Sequence, residues 1–277
     1  MKPVYSFYLE ECDGRTIREE LGNHIENMIQ LIHLPGNVEN YLSRIGLDRE
    51  VFEHALKISI VFHDIGKAYY KSNIRIEKCK DIPGKHRKYL SYLGHEFLST
   101  CLLYRTIQTP GTAELESQQW ESDFEFIQGA ILYAVQYHHH AMAYLERRED
   151  LLLKKARLQA PSREETEYLA GIIEETISHE ASKQLEKQMT NKPPDQIVTK
   201  NCLNNVHREI NLPWTRNPSV ITSQTAFTLQ RLLLTYLLAL DNLSATRTRN
   251  KRRQTPYLNS IKIFAENYLT PKPAKSK

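Results

Sequence analysis

Residues 61–70, VFHDIGKAYY, carry an apolar helical face straight into a histidine and an aspartate. A histidine and a carboxylate entering a core together are costly unless each finds a partner, and a bound metal ion is the commonest strong one. That single juncture constrains the fold: other elements must bring further polar partners to His63 and Asp64.

Those elements read as helices. Only 10 glycines occur in 277 residues, and strand-like alternation is scarce. Three- and four-residue steps dominate instead. Residues about 16–33 place Ile17, Leu21, His24, Met28 and Leu31 on one face, and residues about 49–64 do the same with Phe52, Leu56, Ile60 and His63. Further helices are predicted at about 89–107, 122–140 and 222–245, with Ser122 and Glu125 offering a capping box for the second of these. The charged region 142–190 reads as two helices broken near Pro161-Ser162, and NKPPDQ (191–196) and NLPWTRNP (211–218) read as loops. The expectation is one all-α domain: a helical bundle with a core at about 16–140 and 220–250, a peripheral helical region at about 142–210, and a disordered tail at about 270–277.

The four cysteines, Cys12, Cys79, Cys101 and Cys202, are far apart and form no CxxC pair. They are expected to be reduced, structural thiols of an intracellular protein, neither a zinc site nor a disulfide framework. No run of eighteen apolar residues occurs, since LLLTYLLALDNL is interrupted by Asp241, and the N-terminus lacks a secretory pattern. No membrane partner is expected, and the location expected is the cytoplasm. A formal charge of +4 permits a polyanionic partner without requiring one.

Ionisable residues recur in apolar helical contexts: His24 on the first helix, His63-Asp64 ending the second, His95 in LGHEFL, His138, His139 and His140 ending the fourth, and Asp241 inside the most apolar segment. Imidazole and carboxylate together suit Mn²⁺, Fe²⁺, Co²⁺, Ni²⁺ or Zn²⁺ better than Ca²⁺ or Mg²⁺, which take more oxygen ligands. Six or seven such residues exceed what one ion needs. Two ions about 3.5–4 Å apart, bridged by a carboxylate, would use them all and suit attack of an activated water on a phosphodiester.

The order His…His-Asp…His…His-His…Asp resembles the HD-domain metal-dependent phosphohydrolases. HDIGK (63–67), GHE (94–96), the histidines of YHHHA (137–141) and LALDNLSA (238–245) are similar to the HD nuclease of type I CRISPR interference over about residues 20–250. The resemblance implies that His24, His63, Asp64 and Asp241 hold one metal, and that His95, His139 and His140 hold a second, with Asp64 bridging. Mn, Ni, Co or Fe would fill the sites, with Mg as a further candidate. The family's tandem histidines are usually followed by a small residue, and Ala141 favours His139 and His140 over His138, although three consecutive histidines leave the register open. Lys67 would face the scissile phosphate, and Ser244 would contact substrate.

Two basic clusters flank these motifs. KHRK (85–88) contains Lys85 and Arg87, and RTRNKRR (247–253) contains Arg247 and Arg249. Either could attract phosphates without reading sequence, Tyr89 and Tyr92 could stack bases, and a solvated basic loop explains either cluster equally well. No G-x-x-x-x-G-K-[ST] loop occurs, so no helicase ATPase is encoded here. The resemblance therefore implies a stand-alone nuclease acting on single-stranded DNA, beside a separate helicase subunit and a crRNA-guided surveillance complex. Two other readings stay open: a phosphohydrolase of small nucleotides, and a non-catalytic module stabilised by metal.

Overall fold

The computed structural model describes residues 2–108, 124–139, 158–215, 220–248, 259–260 and 263–264. It is mostly helical, but a small antiparallel sheet precedes and interrupts the helices, so the chain is not purely all-α. Strands β1 (Tyr5–Glu10) and β2 (Thr16–Glu20) form a hairpin, and β3 (Ile74–Lys78) and β4 (His86–Leu90) form another. The strand order is β2-β1-β4-β3, with β1 pairing β4 between the hairpins.

The helical expectation for residues 16–33 is therefore corrected at its start. Thr16–Glu20 pairs with β1, and the turn before it uses Gly14 at φ +86, a conformation glycine adopts freely. Helix α1 is Leu21–Gln30, which buries Leu21, His24, Ile25 and Met28. The helix expected at 89–107 begins only at His95, because the preceding residues complete β4. Gly94 at φ +88 turns the chain into α4, His95–Ile107. The short strands were hidden because β3 and β4 are largely exposed, Ile74 and Ile76 included, so no buried face marks them, and their pairing is non-local.

Helix α2 is Gly36–Arg44. Helix α3, Arg49–Phe62, starts where the Asp48 side chain accepts from the Glu50 amide. A 3₁₀ turn, Ile65–Tyr70, follows it directly. Helix α5, Phe124–Tyr137, packs against α3, α4 and two later helices, α9 (Lys200–Thr215) and α10 (Val220–Thr248). Between them α6 (Arg163–Thr176), α7 (His179–Met189) and the short α8 (Pro194–Ile197) complete ten helices among the described residues. The expected break at Pro161-Ser162 is the start of α6, where Ser162 and Glu165 form a reciprocal capping box. The loops expected at 191–196 and 211–218 are partly helical, since α8 begins at Pro194 and α9 runs through Pro213 to Thr215. The proposed Ser122–Glu125 cap and the tail at 270–277 lie outside the described residues.

A continuous buried core runs through α1, α3, α4, α5 and α10, with Tyr69, Tyr70 and Tyr236 among its largest side chains. Burial of each large apolar side chain contributes about 1.5–3 kcal/mol, so this core readily carries several polar groups set within it.

The cysteine expectation is corrected in half. Cys12 and Cys79 are joined by a disulfide, with Cα atoms 6.0 Å apart, which ties the turn of one hairpin to the other hairpin. Strand pairing brought them together across 67 positions, a distance no local spacing rule reads. Cys101 and Cys202 are free and buried.

Candidate metal centre

Four elements meet around Asp64, and each supplies a histidine, three of them at or next to a helix end. His63 caps the C-terminus of α3, His95 opens α4, His138 and His139 follow α5, and His24 lies in the middle of α1. Adjacent residues on a helix diverge by about 100°, so two neighbours converge only where the helix changes form. At His63-Asp64 the α-helix gives way to the 3₁₀ turn, with Asp64 at φ −111, ψ 0.

Gly66 makes the next approach possible. A methyl group there would collide with the His95 carbonyl oxygen and lie 2.9 Å from the Ser99 nitrogen. The Gly66 amide donates to Ser99 Oγ at 2.8 Å, seating the 3₁₀ turn on the first turns of α4. His95 Nε2 then stands 2.8 Å from Asp64 Oδ1.

Each histidine ring is oriented by its other nitrogen. The Nδ1 of His63 bonds the Ile60 carbonyl at 2.6 Å, that of His95 the Tyr92 carbonyl at 2.6 Å, and that of His138 the Val135 carbonyl at 2.7 Å. A carbonyl only accepts, so each of these Nδ1 atoms carries a proton, and each Nε2 is turned toward the Asp64 carboxylate. Nε2 of His63 and of His138 are buried and have no hydrogen-bond partner. A buried, unpaired polar atom costs roughly 1–3 kcal/mol, and second atoms fixed in this way are typical of metal-ligating imidazoles.

His24 is held differently. Its Nδ1 lies 3.2 Å from Glu19 Oε1 and 3.0 Å from Ser244 Oγ, while Nε2 lies 3.0 Å from Asp241 Oδ1. Burial by itself would depress its pKa, but the bonds to Asp241 and Glu19 prevail and raise it to about 9. Asp241 and Asp64 are both held below the usual carboxylate range. Burial opposes this, and the neighbouring histidines overcome it, joined at Asp64 by Lys67. Burial lowers the pKa of His95.

Potential ligand atoms fall into two groups that share Asp64. One is Asp64, His95, His138 and His139; the other is His24, His63 and Asp64. Within each group the atoms lie within 4.8 Å of one another. These buried His/Asp clusters could hold a metal ion. Asp241, with its side chain 19% exposed, reaches the second group through His24.

The remaining candidates divide. Lys67 is buried, and its ammonium bonds Asp64 Oδ2 at 2.5 Å and the Ser6 carbonyl at 3.0 Å. His138, the histidine that Ala141 disfavours, is buried; His139 is half-buried, and His140 lies outside the described residues. Ser244 is fully buried and bonds His24 of α1; being three residues after Asp241, it shares that helix face. Lys85 is exposed on the β3–β4 hairpin, and Arg87 beside it is paired with Glu77. Arg247 is exposed at the end of α10, and Arg249 lies outside the described residues. Arg231, ten residues before Asp241 on the same helix, stacks on the Phe227 ring at 4.1 Å.

Glu19 is the site residue that sequence reasoning missed. It comes from β2, is buried, and also accepts from Ser6 Oγ at 3.1 Å. Only a strand running into α1 would have drawn attention to it. No protein-family model, curated protein or solved structure matches the chain. Among the described residues no helix is long and apolar enough to cross a membrane.

Proposed function

We propose that this chain is a metal-dependent phosphodiesterase of the HD type that hydrolyses single-stranded DNA. The observation that carries the reading is the Asp64 carboxylate standing between two sets of imidazoles, with the buried Nε2 atoms of His63 and His138 facing it at 3.4 and 3.8 Å without a hydrogen bond. A carboxylate between two imidazole groups suits a bridged pair of transition-metal ions, and nitrogen-rich donors favour Mn, Ni, Co or Fe over Mg. His24, His63, Asp64 and Asp241 would hold one ion, and Asp64, His95, His138 and His139 the other. Divalent ions held there would supply Lewis-acid charge and would lower the pKa of a water to near neutrality.

The protein's own groups do the remainder. Glu19 and the carbonyls of Ile60, Tyr92 and Val135 fix the imidazole rings. Lys67, paired with Asp64 before ions arrive, is positioned to turn its ammonium to a phosphate oxygen once that carboxylate is shared with metal. The chain would act in CRISPR interference in the cytoplasm, beside a helicase subunit and a crRNA-guided complex that chooses the target by base pairing.

The test is hydrolysis after chelation and re-addition of Mn²⁺, Ni²⁺, Co²⁺, Fe²⁺ or Mg²⁺ singly, with labelled single-stranded DNA and a panel of nucleotides as substrates. Metal-rescued cutting of the oligonucleotide supports the reading. Nucleotide turnover with the oligonucleotide left intact overturns it in favour of a small-molecule phosphohydrolase.

A further inference from the structure

Beside the metal centre lies a cavity of about 220 Å³ that the proposed chemistry does not use. Three lysines (Lys2, Lys67, Lys71) and three tyrosines (Tyr5, Tyr8, Tyr92) line it. Lys67 and Tyr92 form the shared wall. The Lys67 ammonium touches Asp64 and lies 5.1 Å from the centre of the Tyr92 ring, and that ring packs edge-on to His95 at 6.3 Å.

The tyrosines reach one cavity through an irregularity. Residues three apart on a regular strand point to opposite faces. In β1 the pairing slips between Tyr5 and Phe7, inserting Ser6 as an extra residue, so Tyr5 and Tyr8 line the same space with ring centres 6.3 Å apart. The same slip aims Ser6 inward, where its carbonyl holds Lys67 and its hydroxyl holds Glu19. One bulge thus serves both the cavity and the metal centre.

The charge is one-sided. Among the described residues Glu165 is the only acid in the lining, and Lys71 at 2.8 Å and Lys2 at 3.8 Å both draw on it. Aromatic faces backed by surplus ammonium groups suit a planar base carrying a phosphate. The volume is below the ~300–1,000 Å³ that encloses a whole drug-sized ligand, so it takes one ring system rather than a dinucleotide.

We propose that this cavity is a nucleotide subsite, seating one base of the substrate against Tyr5, Tyr8 and Tyr92 with its phosphate toward Lys71. As a substrate subsite it rests on the nuclease reading. As a binding site it is testable without it.

The test uses metal-free full-length protein and calorimetric titration with dAMP, dTMP and deoxyribose 5-phosphate. Binding of both nucleotides, at least tenfold weaker binding of the base-free sugar phosphate, and a fivefold or greater loss in Tyr8→Ala and in Lys71→Ala support the proposal. Equal binding of sugar phosphate and nucleotide, binding unchanged in both variants, or no nucleotide binding by the unmodified protein overturns it. With Mn²⁺ and single-stranded DNA, Tyr8→Ala is expected to raise KM about fivefold with kcat within twofold of the parent, and dAMP is expected to compete with DNA. Cleavage by the parent with KM unmoved in the variants sinks the subsite and leaves the nuclease reading intact. Nucleotide binding without any DNA cleavage sinks the nuclease reading and leaves the binding site.

Discussion

Asp64 Oδ1 and His95 Nε2 meet at 2.8 Å, although 31 positions and a β-hairpin separate them in the chain. The contact exists because the 3₁₀ turn after Asp64 lies flat on the start of α4, where Gly66 leaves no Cβ in the way. The other ligand atoms gather around this pair.

Replacing Gly66 by alanine tests that seating. Alanine would meet the His95 carbonyl, and backbone cannot yield as a flexible side chain would. The expected outcome is a destabilisation of about 1–3 kcal/mol with metal binding weakened at least tenfold. Chemical denaturation and metal analysis check it, and an unaltered metal content would disprove the role given to this glycine.

Asp64→Asn should remove metal binding and lower hydrolysis by at least a hundredfold. It also leaves Lys67 buried without its carboxylate, a loss of about 3–5 kcal/mol. Adding Lys67→Met should restore most of the stability while metal binding stays absent. Circular dichroism paired with metal analysis separates the two effects; recovery of metal in the double variant would contradict the assignment.

His24 makes the metal-free protein sensitive to alkali. Its pKa rises from 6.5 unfolded to about 9 folded, so the stabilisation is complete below pH 6.5 and disappears as pH climbs through about 9. Its size is on the order of 3 kcal/mol. Burial shifts His95 the other way, and that effect lies below pH 6.5. Denaturation midpoints between pH 6.5 and 9.5 should fall in the parent and stay flat in His24→Phe. Metal uptake at pH 7.5 should release about one proton, read from calorimetric enthalpies in buffers of different ionisation heat.

The disulfide between Cys12 and Cys79 closes a long loop, for which the chain-entropy account gives about 4 kcal/mol. Reductant, or Cys12→Ser with Cys79→Ser, should lower the melting temperature by several degrees. Because the bridge ties hairpins rather than ligands, metal stoichiometry should remain the same in the reduced protein. A disulfide does not fix the compartment, since intracellular proteins of hyperthermophiles also carry them.

Much of the helical frame was legible in the chain. Phe52, Leu56, Ile60 and His63 lie on one buried face of α3 as their spacing requires, and Leu21, His24 and Met28 do so on α1. The sheet was not legible. Ile17 fitted a helical stripe only because a five-residue strand leads directly into α1, and a window that spans both averages their periods.

The sequence by itself supplied the ionisable residues, their apolar settings and the helices that carry most of them, because periodicity is a local property of consecutive side chains. Tertiary structure alone decided which nitrogen of His63, His95 and His138 meets a backbone carbonyl, that His138 is buried beside Asp64, that Glu19 and Ser244 sit behind His24, and that Cys12 meets Cys79. Those outcomes depend on a backbone carbonyl three residues away, on a strand register or on a packed glycine. They are relations between distant segments, fixed only when the core closes around them.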